Sequence, residues 1–467
     1  MTHAEPGRNL LVFGLILLLL ACWLGGGVAV DPGPMDEWLQ LLALPLLGAA
    51  AWRVSRQGVG DALQRAAMLA LMLIALVPLL QLVSLPSEWW RAIQPRQALA
   101  GDLGVAGIDA LPLRWSLAPA ATEAALWALL PAMAAFLAAV SLQEAVHRRL
   151  VVNALLLLVL SNVLFAFFQA GLPEGSGLRL YPDVRGGFGG MLVNTNHMAT
   201  ALVIGMVLAV GQAVHAWHRL VRGHAGPATW LIYAAFAAAC FLLLPLSTSR
   251  AGMVLALPAL ITVLALTGAL RLRQAWRSKR AAAIALLALG LIVVGVHAAL
   301  GWMAVDRADE VRHLIAGATM EMGRAHAPFG SGVGSFVEVF EQAAPPSLWL
   351  SAYVNHAHNE YVQWWLEAGL LGMLALTASL AVVTLVGWRI VRARVRDGNL
   401  ILAASCFVAV CTVLAHSAVD YPLRTTTLMA TTSALAGLML AALADARVRT
   451  RHHRRIPSAS VERGLPR

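Results

Sequence analysis

Leu150-Val-Val-Asn-Ala-Leu-Leu-Leu-Leu-Val-Leu-Ser-Asn-Val-Leu-Phe-Ala-Phe-Phe-Gln-Ala-Gly-Leu172 runs for 23 residues without one charged side chain. About 20 apolar residues suffice to carry a helix across the hydrocarbon core of a bilayer. A surface helix of a soluble domain would show a broad polar face, whereas only Asn153, Ser161, Asn162 and Gln169 interrupt this run. Outward from it the pattern recurs. Spans are expected at 10–30, 38–52, 66–86, 123–142, 150–172, 193–214, 229–248, 251–270, 281–302, 359–386, 400–419 and 425–444, twelve in all.

The whole chain agrees with that reading. Its 467 residues are 59% hydrophobic and 12% charged, with mean hydropathy +0.73. A soluble domain is about half apolar and about a quarter charged. The expected fold is therefore all-α: a polytopic transmembrane helix bundle forming one domain over 1–446, followed by a basic, disordered cytoplasmic tail over 447–467. The first run follows Arg8 and resembles a signal peptide, and Leu19-Leu20-Ala21-Cys22 resembles a lipoprotein cleavage site. Because further spans follow it, an uncleaved first helix is expected.

A net charge of +10 invites a nucleic-acid reading, but its distribution points to a membrane. With twelve spans and both termini cytoplasmic, 24 of the 34 Lys and Arg fall on the cytoplasmic side and 18 of the 24 Asp and Glu on the other. That is the asymmetry of the positive-inside rule. Two non-spanning segments, 87–122 and 303–358, lie on the outer side. The second is rich in charge (Asp309, Glu310, Arg312, Glu321, Arg324, Glu338, Glu341), and short helices resting on the membrane are expected in it. Cys22, Cys240, Cys406 and Cys411 all lie within apolar runs, so helix packing is expected of them, not disulfides or zinc.

Candidate chemistry gathers on the outer side. His356-Ala-His358-Asn359 opens the tenth span, and histidine is the side chain that exchanges a proton near neutrality. Interfacial polarity, with Asn359 as a helix cap, is the competing reading. A metal site is not expected, because no Cys or third spaced His accompanies the pair. Arg250, in Ser247-Thr-Ser-Arg-Ala-Gly252, starts a helix in a turn between two spans. The helix dipole disfavours a cation there unless an anion joins the guanidinium and the N-terminal amides. A residue snorkelling to headgroups is the alternative. Arg185 heads Arg185-Gly-Gly-Phe-Gly-Gly190, ahead of Asn194-Thr-Asn196-His197 at the sixth span. Arg312, Arg324 and Arg424 (the last in Asp420-Tyr-Pro-Leu-Arg424) are further outer cations, and Gly330-Ser-Gly-Val-Gly334 reads as a turn beside the site. Several arginines with a histidine pair fit an oxyanion such as a lipid-borne pyrophosphate.

His358-Asn359, nine residues, then Gly369-Leu-Leu-Gly372 resembles the His-Asn-x9-Gly-x-x-Gly pattern of O-antigen ligases and related Wzy-type polymerases. Leu246-Ser-Thr-Ser-Arg250-Ala-Gly252 and Phe329-Gly-Ser-Gly-Val-Gly-Ser-Phe336 carry the same resemblance, which extends over about 180–375. It implies a GT-C-type, inverting, metal-independent glycosyltransferase without a cofactor, in the bacterial inner membrane, with a periplasmic active site and a large periplasmic loop over 303–358, between spans 9 and 10. The donor would be an undecaprenyl-pyrophosphate-linked glycan and the acceptor lipid A-core. For a polymerase the acceptor would be another lipid-linked glycan; a protein O-oligosaccharyltransferase is more remote. By the same resemblance His358 is the catalytic base or donor-orienting group, and Arg185 and Arg250 hold the pyrophosphate. His356, Asn359, Arg312, Arg324 and Arg424 are possible substrate contacts. Membrane lipids are expected partners and nucleic acid is not. A transporter or flippase is the rival from another class; it would use polar groups in mid-span, for which His297, Asn162 and Gln169 are the candidates.

Overall fold

A computed structural model describes residues 6–29, 35–57, 60–107, 113–173, 175–180, 187–269, 307–350, 353–393 and 397–455. Among these residues every regular element is a helix, and extended pairing is limited to an isolated bridge between Ser84 and Arg114. A backbone in lipid must satisfy its own hydrogen bonds, and a helix does so within one segment.

The helices are α1 (Pro6–Gly25), α2 (Asp36–Gln57), α3 (Ala62–Gln81), α4 (Ser87–Ala92), α5 (Gln94–Val105), α6 (Pro119–Val140), α7 (Ala145–Ala170), α8 (Thr195–Val221), α9 (Pro227–Leu243) and α10 (Arg250–Thr267). They continue as α11 (Arg307–Ala325), α12 (Phe336–Ala343), α13 (Glu360–Arg392), α14 (Gly398–His416) and α15 (Thr426–Arg455). Ten described helices are long and apolar enough to cross a membrane, each at one of the expected spans. Expected span 10–30 is also helical, with the shorter apolar stretch Asn9–Gly25. The ninth, 281–302, lies outside the described residues, as does His297. The expected loop 303–358 is described from Arg307.

Two expectations are corrected. Helix α15 does not stop at the membrane boundary but continues through Arg455, so residues 447–455 of the expected disordered tail are helical. The sequence there is Arg-rich and meets no proline before Pro457, which lets a formed helix propagate. In the charged segment, α11 is a full helix laid on α13. Ile315 and Met322 from its apolar face are buried with Phe336, Phe340 and Leu366, so protein rather than lipid covers that face.

Helices α8, α14 and α15 are the most enclosed of the spans, and the others surround them. The two ends of the bundle are fastened differently. At one end Arg148, fully buried, donates to Asp445 (2.7 Å), Asn399 (3.2 Å) and the carbonyls of Leu142 and Gln143 (both 2.7 Å), locking α7, α14 and α15 together. At the other end the C-termini of α1, α3 and α14 meet the N-termini of α8, α13 and α15, and there the titratable groups collect.

Helix α13 is broken at Gly369, whose φ of 58° and ψ of −152° are open to glycine and almost nothing else. The Leu370 amide leaves the helix and donates to Pro328 O (2.9 Å). The freed carbonyls of Leu366 and Glu367 accept instead from Ser331 N and Gly332 N (both 2.9 Å). Gln81 completes the joint, donating to Glu367 O and accepting from Val333 N (both 2.9 Å). The glycine-rich run is thus the cap of an interrupted helix. A Cβ on Gly330 would stand 2.4 Å from Glu367 O, so the loop fits only without a side chain at that position.

Candidate active site

The residues just before α13 decide the local chemistry. Asn359 caps the helix, its side chain accepting from Tyr361 N (3.1 Å) and Val362 N (3.2 Å). That is the role its position predicts, and it commits the side-chain oxygen. His358, one residue earlier, has φ of 51°. A non-glycine residue held in the left-handed region stores about 1 kcal/mol or more, and such residues concentrate at functional sites.

Behind His358 lies Asp420, fully buried, from the connection between α14 and α15. Its Oδ1 is 3.4 Å from His358 Nδ1. That connection is pinned to α13, because Glu360 N donates to Ser417 O (2.9 Å) and Leu423 N donates to the Glu360 carboxylate (2.6 Å). Burial alone would raise the Asp420 carboxyl. The His358 contact and the imidazoles of His197 and His416 outweigh it and hold the group below the usual carboxylate range. With the carboxylate facing Nδ1, the ring proton belongs there and Nε2 keeps its lone pair. The His358 side chain is 19% exposed and Asp420 only 1%, so the base has an open side and its partner has none.

Tyr421 forms the floor. Its ring lies 4.4 Å from that of His356, 4.9 Å from that of His358 and 5.3 Å from that of His197. Burial pushes its hydroxyl above the ordinary tyrosine value and Asp420 adds to the effect, while Arg312 from α11 pulls the other way.

His356 is spent inside the protein. Gln363 accepts from Ala357 N (3.0 Å), which orients its amide, and so its Nε2 donates to His356 Nδ1 (3.3 Å). The His356 ring is neutral, with burial first and the charge of Arg424 next holding its pKa down at about 3. Gln363 passes the chain of bonds to Glu367 (2.9 Å), whose other oxygen accepts from Arg424 (2.9 Å). Arg424 thus faces a buried carboxylate.

Arg250 stands at the first position of α10, after a Ser249 cap that accepts from Gly252 N (3.2 Å). It is partly buried beside the first turn of α8, where a Cβ on Gly252 would come 2.3 Å from that of Ala199. Arg324 is elsewhere, on an exposed face of α11 paired with Glu321 at 2.6 Å, and is not brought to the cluster. Arg185 lies outside the described residues. The segment after it is firmly held: Asn162 accepts from Met191 N (2.6 Å) and Gln169 donates to Gly190 O (3.0 Å). These two polar groups of α7, Gln169 at its C-terminal end, fasten a loop.

The O-antigen ligase family model (Wzy_C) matches residues 234–377. The chain carries an O-antigen ligase domain. That segment is similar to the O-antigen ligase family, in a chain with ten described helices long and apolar enough to cross a membrane. No match was found among the curated proteins. Arg250, Arg312, Arg324, His356, His358 and Asn359 fall inside the matched O-antigen ligase segment, whereas Arg185, His197, Asp420, Tyr421 and Arg424 fall outside it. In the sequence Asp420 and Tyr421 stand out only as neighbours of Arg424, and His197 only as the end of an Asn-rich string. No local pattern marks them, because their partners come from other helices.

Proposed function

We propose that the chain is an O-antigen ligase-type glycosyltransferase that moves a glycan from undecaprenyl pyrophosphate to a hydroxyl of lipid A-core on the periplasmic face of the bacterial inner membrane. One observation carries the reading: His358 is 19% exposed and backed by a buried carboxylate at 3.4 Å, the arrangement a general base requires. His358 Nε2 takes the proton of the acceptor hydroxyl as its oxygen bonds to the anomeric carbon. The bond from that carbon to the pyrophosphate oxygen breaks, and its electron pair leaves with the pyrophosphate. Asp420 stabilises the imidazolium that forms. Attack from the side opposite the leaving group inverts the anomeric centre.

Arg250 at the start of α10 is the described residue best placed to hold the leaving pyrophosphate, helped by the N-terminal amides of its helix. Arg185 is proposed for the same task, and Arg312 as a more distant cation over the cluster. The charge asymmetry of the connecting segments supports cytoplasmic termini and a periplasmic site.

The test is transfer by the purified protein in proteoliposomes supplied with undecaprenyl-pyrophosphate-linked glycan and two acceptors. Product on lipid A-core is the expected result. A ladder on the lipid carrier would make the protein a polymerase. Uptake of labelled substrate that survives His358→Ala would make it a transporter.

A further inference from the structure

Asp420 faces a second imidazole. His197, in the first turn of α8, is fully buried, and its Nε2 lies 3.9 Å from Asp420 Oδ2, the oxygen turned away from His358. Its ring meets Tyr421 edge-on at 88°. Neither His197 nitrogen has a hydrogen-bond partner in the protein, and neither Asp420 oxygen accepts a protein hydrogen bond. An ordinary core histidine is bonded through at least one nitrogen, and an apolar residue would fill this place at less cost. His197 is spared from that rule next to a carboxylate in the same condition.

A third imidazole is close, but it is engaged elsewhere: His416 Nδ1 lies 2.7 Å from Thr200 Oγ1, within hydrogen-bond distance. His197 has no such partner at either nitrogen, and it is His197 that stands against Asp420 Oδ2. A lysine or arginine there would neutralise the carboxylate and weaken its support of His358.

We propose that His197 is a positioning residue for glycan transfer: a buried imidazole whose Nε2–H faces the far oxygen of Asp420 across 3.9 Å and favours the ionised carboxylate electrostatically, so that the near oxygen stays aimed at His358. This rests on the reading of His358 as the base and deepens it. The groups facing His197 are His358 from the segment before α13, His416 from the last turn of α14, and Asp420 and Tyr421 from the α14–α15 connection; Arg312 acts on Tyr421 from α11. Removing the donor makes the carboxylate more basic. The His358–Asp420 pair then holds its proton to higher pH, so the acidic limb of the rate profile moves up.

The experiment is the pH dependence of kcat and donor KM, with undecaprenyl-pyrophosphate-linked glycan and lipid A-core in proteoliposomes, for wild type, His197→Leu, His197→Asn, His197→Gln and His358→Ala. His197→Leu should lower kcat about tenfold or more and move the acidic limb up by about one pH unit, with donor KM changed less than about twofold. His197→Gln, whose amide nitrogen reaches the Nε2 position, should recover most of both. Should the leucine variant fail to insert, His197→Asn carries the same expectation as the leucine change, since its amide falls short. An unmoved limb in the leucine and asparagine variants, or no recovery with glutamine, overturns the proposal while leaving His358 as the base. Full activity in His358→Ala overturns the underlying reading instead.

Discussion

Asp420 Oδ1 lies 3.4 Å from His358 Nδ1, although the two residues come from different inter-helix connections and only one of them falls within the matched O-antigen ligase segment. This contact turns an interfacial histidine into an oriented one. Asp420→Asn keeps the shape and removes the charge, so transfer should fall by about 100-fold or more while the protein still inserts. His358→Ala should lose at least as much, and the double variant little more than the worse single one. Initial rates of glycan transfer check all three.

The arginines are not equivalent. Arg250→Ala should cost about 10- to 100-fold in transfer, the worth of about 1.5–3 kcal/mol for a charged hydrogen bond to phosphate. Arg324→Ala, at an exposed pair with Glu321, should stay within about twofold of wild type. Equal losses in the two variants, measured side by side at matched expression, would contradict the placement of the pyrophosphate at α10.

Arg424 is predicted to matter first for stability. It pairs with Glu367, which is completely buried. Arg424→Leu would leave that carboxylate unpaired and should destabilise the protein by about 3–5 kcal/mol. Arg424→Leu with Glu367→Leu should recover much of the loss. Thermal unfolding in detergent reads both changes.

Gly369→Ala should fail at the helix break. Its Cβ would stand 2.4 Å from Pro328 O, at a backbone conformation that residues with side chains avoid. A lower unfolding temperature and faster proteolysis within 328–335 are the expected signs of the loop coming away from α13.

His356 makes stability pH-dependent in a definite direction. Its folded pKa, about 3, lies below the ordinary imidazole value of 6.5, so protons bind the unfolded chain preferentially between the two. The histidine is without cost above the unfolded value, and stability declines as pH falls through that window. The slope from one such group approaches about 1.4 kcal/mol per pH unit. Unfolding temperatures from pH 7 to pH 4 should fall, and His356→Gln should flatten the fall.

Much of this was legible in the chain itself. Charge-free apolar runs such as 150–172 announced their helices because lipid leaves a backbone almost no alternative. Asn359 announced its cap, and the spacing from His358 to Gly369 and Gly372 picked His358 over His356. The structure supplies the reason for part of that spacing, since Gly369 is where α13 breaks. The extent of α15 was not legible, because hydropathy marks where a helix leaves the membrane and not where it ends.

The sequence alone determined that the chain is a helical membrane bundle, because hydrophobicity and helix periodicity are local properties that each segment carries by itself. Tertiary structure alone decided which polar groups share a site. Asp420 reaches His358, and His197 reaches Asp420, only when α8, α13, α14 and α15 pack side by side. The same packing buries His356 against Gln363 and leaves Arg324 outside with Glu321. Distance in space between residues far apart in the chain is a product of packing, and no local pattern encodes it.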